Sequence, residues 1–196
     1  MGVRVGSVVS FTRAELESYR DAVVPDLLGP GTRLLFVGIN PGLRTAAIQT
    51  HFGKPGNRFW PALLLAGIIE EPVDLSDPMT DDVRATLVAR GIGISNVVPR
   101  ATARADELSA AELRAGADRL RALVERVRPP VVAVLGITAY RTAFGRPAAL
   151  PGRQPERMGS AALWVVPNPS GLNAHETVES LAAAYAEPAR AAGIIT

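Results

Sequence analysis

Leu34-Leu35-Phe36-Val37-Gly38-Ile39-Asn40-Pro41-Gly42 is the stretch whose reading decides the fold. Its first five residues form an unbroken apolar run with no alternation of polar and apolar positions. A run this short and uniform reads as a strand buried on both faces of a parallel sheet. The Asn-Pro-Gly behind it is ordinary turn chemistry: proline presets φ, glycine accepts positive φ, and asparagine bonds its own backbone. Val131-Val132-Ala133-Val134-Leu135 and Ala162-Leu163-Trp164-Val165-Val166 repeat the strand pattern, and residues 94–98 read as a fourth strand.

Helices fill the intervals. Thr12-Arg13-Ala14-Glu15 is a capping box that predicts a helix to about residue 22, before Pro25 and Gly29-Pro30-Gly31 interrupt. Residues 39–56, punctuated by Gly, Pro and Asn, read as a loop. Asn57 then caps a helix carrying Phe59, Trp60, Leu63, Leu64 and Ile68, with Pro61 tolerated in its first turn. Further helices are expected over residues 80–89, 138–144 and 176–187. Ser109-Ala110-Ala111-Glu112 is a second capping box, ahead of a face traced by Leu113, Ala117, Leu120, Val124 and Val127. Residues 145–160 read as an irregular loop. Strands alternating with helices predict a three-layer α/β fold: a mostly parallel four-stranded sheet with helices on both faces. Sites in such folds lie at the carboxyl ends of the strands. Two strand ends stand out, 38–42 and Pro167-Asn168-Pro169-Ser170-Gly171-Leu172-Asn173.

Composition narrows the chemistry. The 196 residues are 47% hydrophobic and 20% charged, enough to bury one core without staples. No linker or repeat divides them, so a single domain spanning 1–196 is expected. Cysteine is absent, which excludes disulfides, thiol nucleophiles, thiolate zinc sites and iron–sulfur clusters. Only His51 and His175 supply imidazole, so neither a metal site nor any other cofactor is expected. No apolar run of roughly 18 residues suggests a membrane span. The start, Met1-Gly2-Val3-Arg4-Val5, lacks a secretory pattern, so a cytoplasmic protein is expected. The formal charge is +2, and Lys54 is the only lysine. Arginine suits phosphate recognition, although a GC-rich genome explains the same bias.

Gly38-Ile39-Asn40-Pro41-Gly42-Leu43, then Phe52, then Asn57-Arg58-Phe59-Trp60, then Pro167-Asn168-Pro169-Ser170-Gly171-Leu172 resembles the mismatch-specific uracil-DNA glycosylases, the family of bacterial Mug and vertebrate thymine-DNA glycosylase. The resemblance implies a uracil-DNA glycosylase-like core over residues 31–187, with residues 1–30 as an N-terminal helical extension. It implies a monofunctional hydrolase that cuts the N-glycosidic bond of a base flipped out of duplex DNA, and because flipping needs only one subunit a monomer is expected. By the same resemblance Asn40 holds the attacking water. Gly38, Ile39, Gly42, Thr45, Phe52 and Asn168 line the base pocket, with Phe52 stacking on the base. Leu172 wedges into the duplex, flanked by Ser170, Gly171 and Asn173 and aided by Arg58.

Several of these residues carry bland readings too. Phe52 could be a core aromatic, Leu172 a staple on the last helix, and Thr45 a loop-stabilising hydroxyl. Asn173, three residues before Glu176, makes a good helix N-cap, and Arg58 suits a phosphate or an acidic neighbour equally. Three departures from the fast uracil-DNA glycosylases bear on chemistry. Asn40 replaces their Asp, Asn168 their His, and Gly42 the Tyr that walls off the thymine methyl group. Slow turnover and a wider substrate range follow, with uracil opposite guanine, ethenocytosine and thymine opposite guanine expected. Better-known bacterial members carry an Arg shortly after the wedge, where this chain has Ala174 and His175. Two rivals remain: a glycosylase for another lesion such as hypoxanthine, and a nucleotide- or nucleic-acid-binding module without chemistry.

Overall fold

A computed structural model describes residues 10–196. The first nine residues of the expected N-terminal extension, including the 1–5 stretch read for a leader, lie outside the described residues. The elements in chain order are α1 (Arg13–Glu17), β1 (Leu34–Gly38), α2 (Leu43–Ile48), α3 (Phe59–Leu65), α4 (Asp81–Ala89), β2 (Ile92–Asn96), a 3-10 turn (Ala105–Glu107), α5 (Ala110–Val127), β3 (Val131–Leu135), α6 (Ile137–Phe144), β4 (Gly152–Met158), β5 (Ala161–Val166) and α7 (Val178–Ala191).

The sheet runs β2-β1-β3-β5-β4. The first four strands are parallel, paired Leu34 with Ile92, Leu34 with Val131 and Val131 with Ala162. Alternate residues feed two cores. Leu34, Phe36, Ile94, Ala133, Leu135 and Val166 pack with Phe59, Leu63, Leu87, Leu181 and Tyr185 of α3, α4 and α7. Leu35, Val37, Val132, Val134, Leu163 and Val165 pack with Leu113, Leu120, Val124 and Tyr140 of α5 and α6. Helices therefore cover both faces, and this is why the strands read as continuous apolar runs.

The sheet has five strands where four are expected. Residues 145–160, expected as irregular, contain β4, which lies antiparallel to β5 on the outer edge. Only Gln154 and Met158 of that strand are buried, and Pro155 falls within a register shift between Arg153 and Arg157. An edge strand needs neither a continuous apolar run nor a full ladder of donors, so its sequence signal is weak.

Local expectations shift for physical reasons. The Thr12–Glu15 capping box forms, with Glu15 N donating to Thr12 Oγ1 at 3.2 Å, but α1 stops at Glu17 instead of running to 22. Beyond it the backbone is claimed by the sheet edge: Asp21 N donates to Ala101 O at 2.9 Å, and Leu27 pairs with Ile94. The expected loop 39–56 contains α2, whose Leu43, Thr45, Ala46 and Ile48 are buried although no side chain caps it. The final helix starts at Val178, capped by a Thr177–Ser180 box, so Asn173 is not its N-cap. β2 begins at Ile92 and ends at Asn96, two residues earlier than expected.

Candidate functional site

The four parallel strands end on one edge, and their ends enclose a cleft of about 430 Å³. Gly38 closes β1, Asn96 closes β2, Leu135 closes β3, and Asn168 follows β5; all four line it. β1 lies between β2 and β3. The connection after β1 leads to β2 on one side and that after β3 leads to β4 and β5 on the other, which opens a crevice between β1 and β3 where such sheets place their ligands.

The cleft gathers most of the residues anticipated from the sequence. Gly38, Ile39, Asn40, Gly42, Thr45, Phe52, Asn168, Ser170 and Leu172 line it, whereas Gly171, Asn173 and Arg58 stand behind its rim. It also holds His51, Lys54, Asn57, Asn96, Thr102, Arg104 and Asp106, none of which the sequence reading had marked as site residues.

Asn40 is held in one orientation. Its Nδ2 donates to Thr102 Oγ1 at 2.7 Å, to Arg100 O at 3.1 Å and to Pro41 O at 3.2 Å. Thr102 Oγ1 donates its own hydrogen to Arg104 O at 2.7 Å, so only a donor can approach it from Asn40. Carbonyls and hydroxyl thus assign the amide nitrogen without ambiguity. Oδ1 is left as an acceptor on a side chain that lines the cleft.

Phe52 adopts φ of 56°, a left-handed conformation costly for an aromatic residue. Its ring stacks on Phe59, with centroids 3.9 Å apart and planes 27° apart. Phe59 in turn packs edge-on to Phe36 and Trp60. The core therefore backs a ring that is itself part of the cleft wall. Gly38 is required beside it, since a Cβ there would lie 2.6 Å from Asn96 Oδ1 and 3.2 Å from the Phe52 ring. At Gly42, by contrast, a Cβ would meet nothing within 4 Å, so this wall of the cleft is open.

Thr45 is buried and its Oγ1 accepts from Gly53 N at 3.2 Å, which ties the Phe52 turn to α2. His51 is also buried. Its Nε2 lies 3.0 Å from Pro25 O, and its Nδ1 lies 3.5 Å from Asn96 Nδ2. Burial holds this ring below the usual imidazole range, against the opposing pull of the Pro25 carbonyl and Asp26.

The rim is a self-bonded loop. Asn168 Oδ1 accepts from Ser170 N at 2.9 Å, and Ser170 Oγ accepts from Leu172 N at 3.3 Å. Asn173 Nδ2 donates to Asn168 O at 3.2 Å. These bonds leave Leu172 82% exposed at the tip. Leu172 is therefore not a staple on α7. Arg58 is half-buried and pairs with no acidic side chain among the described residues: its guanidinium donates to Ser170 O at 2.8 Å, to Asn173 O at 2.7 Å and to Glu176 O. Its backbone N donates to Pro169 O at 3.0 Å, and Gly171 lies so close to Gly56 O that a Cβ would sit 2.7 Å from it. In place of either expected partner, Nη1 and Nη2 of Arg58 form an internal clamp on three loop carbonyls, while Nε has no partner among the described residues.

Among the described residues, no helix is long and apolar enough to cross a membrane, and no group of three His, Asp or Glu could hold a metal ion. Fold and cleft together define an α/β protein whose strand ends form a pocket with an aromatic wall, oriented amides and an exposed apolar tip. Residues 25–188 match the family model of the uracil DNA glycosylase superfamily, and the chain belongs to that family. It is accordingly a DNA glycosylase, a hydrolase of the N-glycosidic bond. The fold is also that of a Methanosarcina acetivorans protein, provisionally described as a uracil DNA glycosylase, whose structure was solved in solution by NMR. That chain is 24% identical, with a TM-score of 0.58 over 85% of this chain and 96% of the other.

Proposed function

We propose that this chain is a mismatch-specific glycosylase that removes uracil opposite guanine, with ethenocytosine and thymine opposite guanine as further substrates. The observation that carries this reading is the fixed Asn40 amide, with Oδ1 left to accept from a water and no carboxylate at that position. In the proposed reaction the flipped nucleotide lies against Phe52. The water oxygen forms a bond to C1′ as the C1′–N1 bond breaks, and the electron pair leaves on the base. The water's proton passes to solvent or to the departing base. An amide orients the water but supplies no negative charge to the cationic sugar, which favours slow turnover and leans on the leaving ability of the base. A guanine mismatch lowers the cost of opening the pair, which favours G·U over A·U. The open wall at Gly42 supports a pocket that takes pyrimidines substituted at the position where a Tyr would stand. Leu172, exposed on a braced loop, supports insertion into the gap left by the base. One subunit suffices, and we propose a monomer acting on double-stranded DNA.

The test is a duplex with one G·U pair, incubated with enzyme in excess in EDTA and then treated with alkali. Abasic strand breaks are expected from wild type, while Leu172→Ala keeps activity on single-stranded uracil and loses it on duplex. No breaks with uracil, ethenocytosine or thymine would overturn the assignment; breaks with hypoxanthine alone would move the enzyme to another lesion, and binding without breaks to a non-catalytic module.

Thr102→Val probes the brace. It removes the acceptor for Asn40 Nδ2 and the donor to Arg104 O while keeping the shape. Single-turnover excision is expected to fall about tenfold, the equivalent of one well-placed hydrogen bond. An unchanged rate would mean that the two backbone carbonyls hold Asn40 unaided.

A further inference from the structure

We propose that His51 sets which end of the Asn96 carboxamide meets the base, making that group a hydrogen-bond acceptor in the pocket. This deepens the glycosylase reading, on which the identity of the base rests. Asn96 is 4% exposed and ends β2 at the cleft floor, and His51 is 3% exposed. Pro25 O, 3.0 Å from His51 Nε2, offers only lone pairs, so Nε2 carries the proton. Burial favours the neutral ring; the Pro25 carbonyl and the Asp26 carboxylate favour the cation, and Arg84 of α4 opposes it. Nδ1 is then bare, and the amide atom 3.5 Å from it must be a donor, Nδ2. Oδ1 consequently lies on the other side, beside Gly38, where a Cβ would approach it to 2.6 Å. Arg119 donates to Asn96 O, so the backbone of this residue is held and the amide group is the part free to turn over.

An acceptor at this point matches a base whose edge offers an N–H, as uracil does at N3. It gives nothing to ethenocytosine, whose bridged edge has no N–H. Moving the His51 proton to Nδ1 would turn the amide over and present its NH₂ group to the base instead. His51 touches no substrate in this scheme. It acts on specificity through Asn96, as a positioning residue.

Two measurements test this. The chain has only two histidines, so nitrogen-15 spectra of histidine-labelled wild type, with His175→Gln for assignment, read the His51 tautomer directly. A proton on Nε2 and a bare Nδ1 at neutral pH are expected; a proton on Nδ1 overturns the proposal. In single-turnover assays His51→Ala is expected to lower the ratio of uracil to ethenocytosine excision about tenfold. A parallel loss on both bases, with the ratio unchanged, would reduce His51 to a packing role and overturn the proposal. If His51→Ala does not fold, the tautomer of the wild type still decides the orientation of the amide. If wild type excises neither base, the glycosylase reading falls, while the spectra continue to judge the His51–Asn96 pair separately.

Discussion

Asn40→Ala is expected to lower single-turnover excision of uracil on the order of a hundredfold or more while leaving the fold intact. Orientation of a nucleophile and management of its proton each contribute factors of roughly this size to enzymic hydrolysis. The side chain is held by Thr102, Arg100 and Pro41, so the wild-type enzyme spends no ordering entropy on it during the reaction. Alanine removes the acceptor for the water and strands three partners. Thr102 and Pro41 are buried beneath the side chain but line the cleft, so water entering the vacated space can replace the lost donor and the melting temperature should drop by only a few degrees. Rates are compared with enzyme in excess, so that product release does not mask the chemical step. A rate within about threefold of wild type would show that the water is positioned elsewhere.

Arg58→Met is expected to loosen the rim loop and to reduce excision from duplex DNA by about 10- to 100-fold. One guanidinium gathers the carbonyls of Ser170, Asn173 and Glu176, and methionine keeps the apolar stem while removing every donor. Hydrogen bonds from a charged donor are stronger than neutral ones, so their loss favours local opening of the loop over its closed form. Arg58→Lys should not restore the loop, because an ammonium cannot span the three carbonyls as a planar fork does. The readouts are protease cleavage within residues 170–177 and excision from single-stranded against duplex substrate. The sheet does not depend on this clamp, so the variant should still melt cooperatively. Equal losses on single-stranded and duplex DNA would place the effect in the pocket and not in the loop.

Much of this protein could be read from local pattern. β1, β3 and β5 were legible as uniform apolar runs because strands covered on both faces leave no polar positions to confuse the period. The capping boxes at Thr12 and Ser109 marked two helix starts because each is complete within four residues. The Asn-Pro-Gly loop and the Pro-Asn-Pro-Ser-Gly-Leu loop pointed to one another only through resemblance, but their meeting follows once both strands are parallel.

Asn96 escaped notice because the expected second strand ran to residue 98, which placed it mid-strand; ending β2 two residues sooner turns it into a strand-end amide. Thr102 lies 62 residues from Asn40, and no local pattern links a threonine in one loop to an asparagine in another. Arg58 offered two partners to a sequence reader, a phosphate and a carboxylate, and the fold supplied a third, a fan of carbonyls more than 110 residues away. By itself the sequence determined the layers, the parallel core and the two loops at its edge, since apolar period and turn chemistry are properties of neighbours in the chain. Tertiary structure alone decided which amide nitrogen faces which carbonyl and which imidazole nitrogen is left bare, because hydrogen-bond partners are chosen by proximity in space.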